Sequence, residues 1–120
     1  MDISVTRDVF RLAQVFTISR GSRTEAQVLT VRLQEDGVKG WGECVPYARY
    51  GETLESVTDQ ITGLPDRFDR ASLQGLLLAG AARNAVDCAL WDMAAKVTEI
   101  RAWDIAGLPV PLPEITAYTL

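Results

Sequence analysis

The sequence has 120 residues, of which 48% are hydrophobic and 23% are charged, a balance typical of one folded domain. Sixteen acidic residues against 12 basic residues give a net charge of -4, which argues against a general nucleic-acid binder, because such proteins present a basic face to phosphates. The chain contains no histidine, which excludes a Ser-His or Cys-His nucleophile, an imidazole base and a His-ligated zinc site within it.

The sequence shows no pattern that directs a protein to a membrane. The N-terminus lacks the basic segment and apolar core of a secretory signal peptide. The longest apolar stretch, residues 76–82, is interrupted by Gly80 and is too short to cross a bilayer. We therefore expect a cytoplasmic protein that binds neither membranes nor nucleic acids, and in which Cys44 and Cys88 are reduced, buried thiols.

The first third of the chain has the pattern of β-strands. Leu29, Val31 and Leu33 alternate with polar residues, so one face of their strand is expected to be buried. Successive strands separated by turn or loop signals predict a three-stranded antiparallel sheet. The predicted strands cover residues 3–14, 26–34 and 38–45, with a polar loop at 16–23 and a turn at Gly37.

The second part of the chain is predicted to be helical. Thr53 is expected to cap a helix that ends near residue 63, and Ser72 a short helix that runs through Leu78. Residues 81–96 have apolar residues at helical spacing and many alanines, whose small side chains let neighbouring backbones come close. A last helical turn is predicted near Trp103, ending at Gly107.

Two further features concern the backbone. Gly40 and Gly42 lie within the third strand, where glycine usually marks a bulge or a close approach of another backbone. Residues 108–113 alternate apolar residues with proline, a pattern that suits neither a helix nor a central strand and predicts an extended linker. Residues 114–120 have β character, and no partner strand for them is evident in the sequence.

Three segments carry a resemblance to a known family. They are FTISRGSRTEA at 16–26, GWGECVPYARYGET at 40–53 and GAARNAVDCALWDMAAK at 80–96. Together they resemble the N-terminal capping domain of the enolase superfamily, in its muconate-lactonizing-enzyme branch. The RGSR and PYARYGE loops are similar to those of the L-Ala-D/L-Glu (dipeptide) epimerases.

The resemblance implies an α+β fold: a three-stranded antiparallel sheet followed by a helical bundle, which caps a (β/α)8 barrel. Residues 1–107 would form the cap, 108–113 the linker and 114–120 the first barrel strand, with the rest of the barrel absent from the chain. The cap's partners would be its own barrel and the dipeptide substrate. The oligomeric state is left open, with a homo-oligomer among the expected forms.

The resemblance also implies the chemistry of the parent enzyme. In this isomerase family, lysines on either face of a murein-derived dipeptide remove and return the proton at the α-carbon, and barrel carboxylates hold Mg²⁺. Neither Lys39 nor Lys96 matches a catalytic lysine, and Asp87 and Asp92 are expected to bond backbone or arginines. No catalytic residue and no metal ligand is therefore expected in this chain, which would be inactive alone.

Loops 17–25 and 46–53 would close over the substrate, and they supply most of the candidate binding residues. Arg20 and Arg23 either bind an acidic dipeptide side chain or are solvated loop arginines. Tyr47 and Tyr50 either line the substrate site or anchor their loop against Trp41 or the helices.

Thr119 matches a substrate-binding threonine at the end of the family's first barrel strand; the alternative is an ordinary strand threonine. Two other functions fit the same residues. The chain is then the cap of a cycloisomerase or an o-succinylbenzoate synthase, or else a stand-alone binding module.

Overall fold

The structure, a computed structural model, describes residues 1–18 and 21–117. Three antiparallel strands form one sheet in the order β1-β2-β3. The turn between β2 and β3 is tight, because Asp36 and Gly37 both have positive φ angles, of 49° and 82°. This confirms the predicted sheet and its turn. The strands are β1 (Asp2–Ile18), β2 (Gly21–Glu35) and β3 (Val38–Cys44).

The first hairpin is longer than predicted. Phe16 pairs with Arg23, and Thr17 with Ser22, so both strands extend into the segment that was expected to be a polar loop. The hydroxyl groups of Thr17 and Ser22 are 2.8 Å apart. Both side chains are exposed, and a strand with two solvated faces has no apolar alternation to mark it. The register also shifts between Arg11 and Phe16, which breaks the pattern further.

Four helices follow the sheet. Thr53 caps α1 as predicted, in a capping box with Ser56. The prediction that Ser72 caps α2 is wrong. Asp69 is the capping residue, and its carboxylate accepts from the Ser72 backbone N–H at 2.8 Å. Ser72 is the other half of that box, since its hydroxyl accepts from the Asp69 N–H. The helices are α1 (Leu54–Thr62), α2 (Arg70–Leu76), α3 (Ala81–Thr98) and α4 (Ala102–Ile105).

The core lies between one face of the sheet and the helices. The contact between β3 and α3 is unusually close, and it needs glycine: a Cβ at Gly42 would overlap the Ala85 carbonyl oxygen, and one at Gly40 the Ala89 carbonyl oxygen. The predicted close approach is thereby confirmed. The largest fully buried side chains are Leu29, Val31, Leu33, Val57, Ile61, Leu73 and Val86.

The end of the described chain is extended. Residues 108–117 are exposed and belong to no helix or strand, and the side chain of Ile115 is fully exposed. The linker predicted at 108–113 stays a prediction. The predicted barrel strand at 114–120 stays a prediction, because it would form only against other strands of a barrel.

Candidate functional site

The two loops singled out by sequence come together in the structure. A cleft of about 430 Å³ lies between the start of β2, at residues 22–27, and the segment 45–54. Arg23 lines one side of it, and Pro46, Glu52 and Thr53 line the other. Arg23 is exposed, so its guanidinium has access to an anionic group in the cleft. Arg20 lies outside the described residues, as does Thr119.

Segment 46–53 has a defined shape rather than an open loop. A 3₁₀ turn at Ala48–Tyr50 is closed by Gly51, whose φ of 74° is a left-handed conformation that glycine adopts without strain. The Tyr50 N–H donates to the Tyr47 carbonyl at 2.9 Å, and the Gly51 N–H donates to the Ala48 carbonyl at 3.0 Å. Two residues later Thr53 caps α1. The turn and the helix cap therefore fix the backbone of the segment at both places.

Tyr47 and Tyr50 lie on the other side of this segment from Arg23. Their ring centroids are 5.5 Å apart and the rings are inclined at 57°. They line a second cleft, of about 270 Å³, together with Cys44 and with Ala81 at the start of α3. Tyr50 is 76% exposed, which leaves its ring free to contact a ligand or another domain. Arg23 and the tyrosines therefore line adjacent clefts.

Glu52, which the sequence analysis did not propose, connects these two clefts and lines both. One carboxylate oxygen accepts from the Tyr47 backbone N–H at 2.9 Å, and the other accepts from the Ala81 N–H at 2.7 Å. The helix α3 has no side-chain cap of its own, because its capping residue is Gly80. Because glycine has no side chain to cap a helix, Gly80 at the start of α3 was a sequence signal that another residue, here Glu52, supplies the cap.

Cys44 shows how closed the interior is beside this site. Burial, together with smaller contributions from the negative charges of Glu52 and Glu43, raises the pKa of its thiol from 9.0 to about 11. The prediction of two buried thiols is half wrong, since Cys88 is exposed on α3. Position 88 lies on the solvent-facing side of α3. Small apolar residues occur on both sides of this helix, so the residue types did not show which side is buried.

The charged residues that sequence alone assigned to structural roles occupy such roles. Asp92 accepts from the Trp41 backbone N–H at 2.8 Å and pairs with Lys96 at 2.6 Å, while the Lys96 ammonium also donates to the Lys39 carbonyl. Asp87 pairs with Arg70 at 3.2 Å. Lys96 is therefore an exposed, ion-paired ammonium, which is unsuited to act as a base.

The described residues do not fit a metal site. Within 1–18 and 21–117, no three His, Cys, Asp or Glu side chains are grouped so as to hold an ion. Asp87 and Asp92 are engaged as described above, with no third acidic group beside them among these residues. Across the same residues, none of the helices is both long and apolar enough to span a membrane.

The family follows from the match of the sequence to known proteins. Residues 1–107 match the family described as mandelate racemase / muconate lactonizing enzyme, N-terminal domain. The chain belongs to this family. It is an N-terminal domain of the enolase superfamily, and its three-stranded antiparallel sheet with helices is the cap architecture found in dipeptide epimerases.

Relatives with assigned activities are isomerases. The chain is 46% identical over 122 residues to L-Ala-D/L-Glu epimerase of Escherichia coli strain K12, covering 98% of this chain and 38% of that protein. It is 41% identical over 99 residues to N-acetyl-D-glutamate racemase of a Pseudoalteromonas species, covering 78% of this chain and 31% of the relative. The chain thus spans about a third of these relatives' length.

Solved structures agree with the sequence matches. An enolase family member from Agrobacterium tumefaciens with homology to dipeptide epimerases, with bound sodium and L-Ala-L-Glu and an ordered loop, superposes with a TM-score of 0.83 at 47% identity. The superposition covers 89% of this chain and 34% of that one. Structural neighbours hold magnesium or sodium, which is consistent with a metal cofactor in the family.

Proposed function

We propose that the chain is the substrate-selecting cap of a Mg²⁺-dependent dipeptide epimerase that acts in the cytoplasm on L-Ala-D/L-Glu derived from murein. The observation that carries the proposal is the cleft in which Arg23 faces segment 46–53. The high identity to an L-Ala-D/L-Glu epimerase supports the same substrate class. Residues 1–107 would form the cap, 108–113 the linker and 114–120 the first strand of the barrel.

In this proposal the chain binds and encloses the substrate but does not react with it. Arg23, with Arg20, places a cation beside the side-chain carboxylate of the dipeptide's glutamate. Tyr47 and Tyr50 cover the site and exclude water, and Thr119 bonds the substrate from the barrel strand. The base, the acid and the carboxylates that hold Mg²⁺ lie in the barrel; when bound, the metal neutralises charge on the substrate carboxylate.

The isolated chain gives the first test. Incubated with Mg²⁺ and L-Ala-L-Glu in deuterated water, it is expected to produce no exchange of the α-proton, because no proton-transfer group of the reaction lies within it. The protein that carries this chain together with a barrel is expected to exchange that proton. Exchange by the isolated chain, or none by the longer protein, contradicts the proposal.

Substitution of the arginines tests the assignment of the cleft. In the longer protein, Arg23→Ala combined with Arg20→Ala should lower kcat/KM for L-Ala-L-Glu by about 10-fold or more, because an ion pair to the substrate is lost. Activity on a dipeptide with an uncharged second residue should change little. Arg67→Ala is the matched control, since Arg67 is an exposed arginine in the connection between α1 and α2 and lines neither cleft. Unchanged preference for acidic dipeptides rejects the assignment.

Racemisation of an N-acylated glutamate is the second candidate, favoured by the 41% identity to N-acetyl-D-glutamate racemase. Both substrates carry the same acidic side chain and differ in the group on nitrogen. Comparing kcat/KM for L-Ala-L-Glu and N-acetyl-D-glutamate in the longer protein separates the two. No particular observation favours a cycloisomerase, an o-succinylbenzoate synthase or a stand-alone binding module.

A further inference from the structure

We propose that Glu52 is a positioning residue that fixes segment 46–53 to the start of α3 and thereby sets the affinity of the cap for its substrate. This inference rests on the proposed function for its link to substrate. Its structural part rests on two hydrogen bonds alone. The carboxylate accepts from Tyr47, at one end of the segment, and from Ala81, the first residue of α3.

The two contacts join parts of the fold that are distant in sequence. Tyr47 belongs to the connection between β3 and α1, whereas Ala81 lies 29 residues beyond Glu52. α3 is the helix that packs closely on β3, so its position is set by the core. A bond to its first residue therefore ties segment 46–53 to a helix that packs closely on the sheet.

The chemistry of the contacts favours a carboxylate over any neutral group. The first N–H groups of a helix have no partner within the helix, and the positive end of the helix dipole attracts negative charge. Glu52 is half-buried, and both of its oxygens accept from backbone N–H groups. Glutamine at this position offers only one accepting oxygen, so it can preserve only one of the two bonds.

Gly80 provides an independent sign that the space is reserved for this carboxylate. A Cβ at position 80 would lie 2.7 Å from the Glu52 carboxylate oxygen that bonds Ala81. The backbone of Gly80 is extended, with φ of 166° and ψ of -172°, so alanine adopts it without strain. Gly80→Ala is therefore expected to displace the carboxylate without removing its charge and without unfolding the chain.

The structural part is tested by amide hydrogen exchange in the 120-residue chain. Gly80→Ala should raise the exchange rate of the Ala81 amide, and Glu52→Gln that of at least one of the Tyr47 and Ala81 amides, by about 10-fold or more, since a bond to a charged acceptor is lost. The double variant should resemble either single variant, because both changes remove one shared contact. Additive effects, or unchanged exchange, contradict the inference.

Two matched controls separate the bridge from charge loss and helix effects. Glu55→Gln removes the same charge from an exposed position in the first turn of α1. Gly75→Ala adds a methyl group at a helical glycine with nothing within 4 Å of the added atom. Both controls should leave the two amide exchange rates within about twofold of the unsubstituted chain.

The functional part is tested in the longer protein by separating KM from kcat for L-Ala-L-Glu. Glu52→Gln and Gly80→Ala should raise KM on the order of 10-fold with a smaller change in kcat, because in the proposed function the segment covers the bound substrate and carries no proton-transfer group. KM values equal to those of the two controls, with the amides released, reject the positioning role. If no dipeptide is epimerised, the proposed function fails, and hydrogen exchange still decides whether Glu52 fixes the segment.

Discussion

The contact between β3 and α3 and the adjoining clefts around segment 46–53 hold the backbone in different ways. In the first region, glycines on the strand meet backbone carbonyl groups of the helix, and Ala85 and Ala89 are fully buried. In the second, two hydrogen bonds accepted by the Glu52 carboxylate and a short 3₁₀ turn fix a largely exposed segment. The chain thus combines a packed body with a segment that is held at a few points.

The largest expected effect is on the packed side. Gly42→Ala should lower the free energy of unfolding by about 3 kcal/mol or more, because the added Cβ overlaps the Ala85 carbonyl oxygen and the backbone must move. Urea denaturation followed by circular dichroism measures the loss. Gly75→Ala, in open space on α2, should instead be neutral or slightly stabilising. Equal stability of the two variants would show that the contact is not tight.

An intermediate effect is expected where a side chain links the two packed elements. Asp92→Ala should cost about 1–2 kcal/mol, since the Trp41 N–H loses a charged acceptor. Asp92→Asn keeps an accepting oxygen and loses only the exposed pair with Lys96, so it should cost about 0.5 kcal/mol or less. The same denaturation experiment ranks the two variants. The reverse order would assign the stabilisation to the ion pair.

The smallest effect concerns pH and the two cysteines. The folded state raises the pKa of the Cys44 thiol from 9.0 to about 11, so the folded state binds the proton more tightly than the unfolded state does. This contribution is complete below pH 9 and is lost as the pH rises through about 11. The free energy of unfolding, measured from pH 8 to 11, should show this decline, and the Cys44→Ala variant should lack it.

Thiol labelling gives an independent check of the same contrast. At pH 8, a reagent specific for thiolates should modify the exposed Cys88 and leave the buried Cys44 unmodified in the folded chain. Both cysteines should react once urea has unfolded the chain. Rapid modification of Cys44 under native conditions would show that the end of β3 opens readily.

Much of the fold could be predicted because local patterns and tertiary packing agree there. The alternation of Leu29, Val31 and Leu33 predicts the buried face of β2, and Thr53 predicts the start of α1; both are confirmed. Prediction failed where several local choices are nearly equal in energy. Ser72 and Asp69 are both residue types that cap helices well. Only the formed capping box shows that Asp69 is the N-cap of α2 and that Ser72 lies in its first turn.

Residue types and their spacing were enough to predict the order of strands and helices, the family resemblance and the absence of histidine chemistry from the chain. These follow from residue types and their spacing, which require no knowledge of distant contacts. Tertiary contacts were needed to show that Phe16 pairs with Arg23 and Thr17 with Ser22, that Cys88 faces outward and that Glu52 bridges Tyr47 to Ala81. Each of these depends on which segments distant in the chain meet in space, and solvent exposure and hydrogen-bond partners are fixed only when they do.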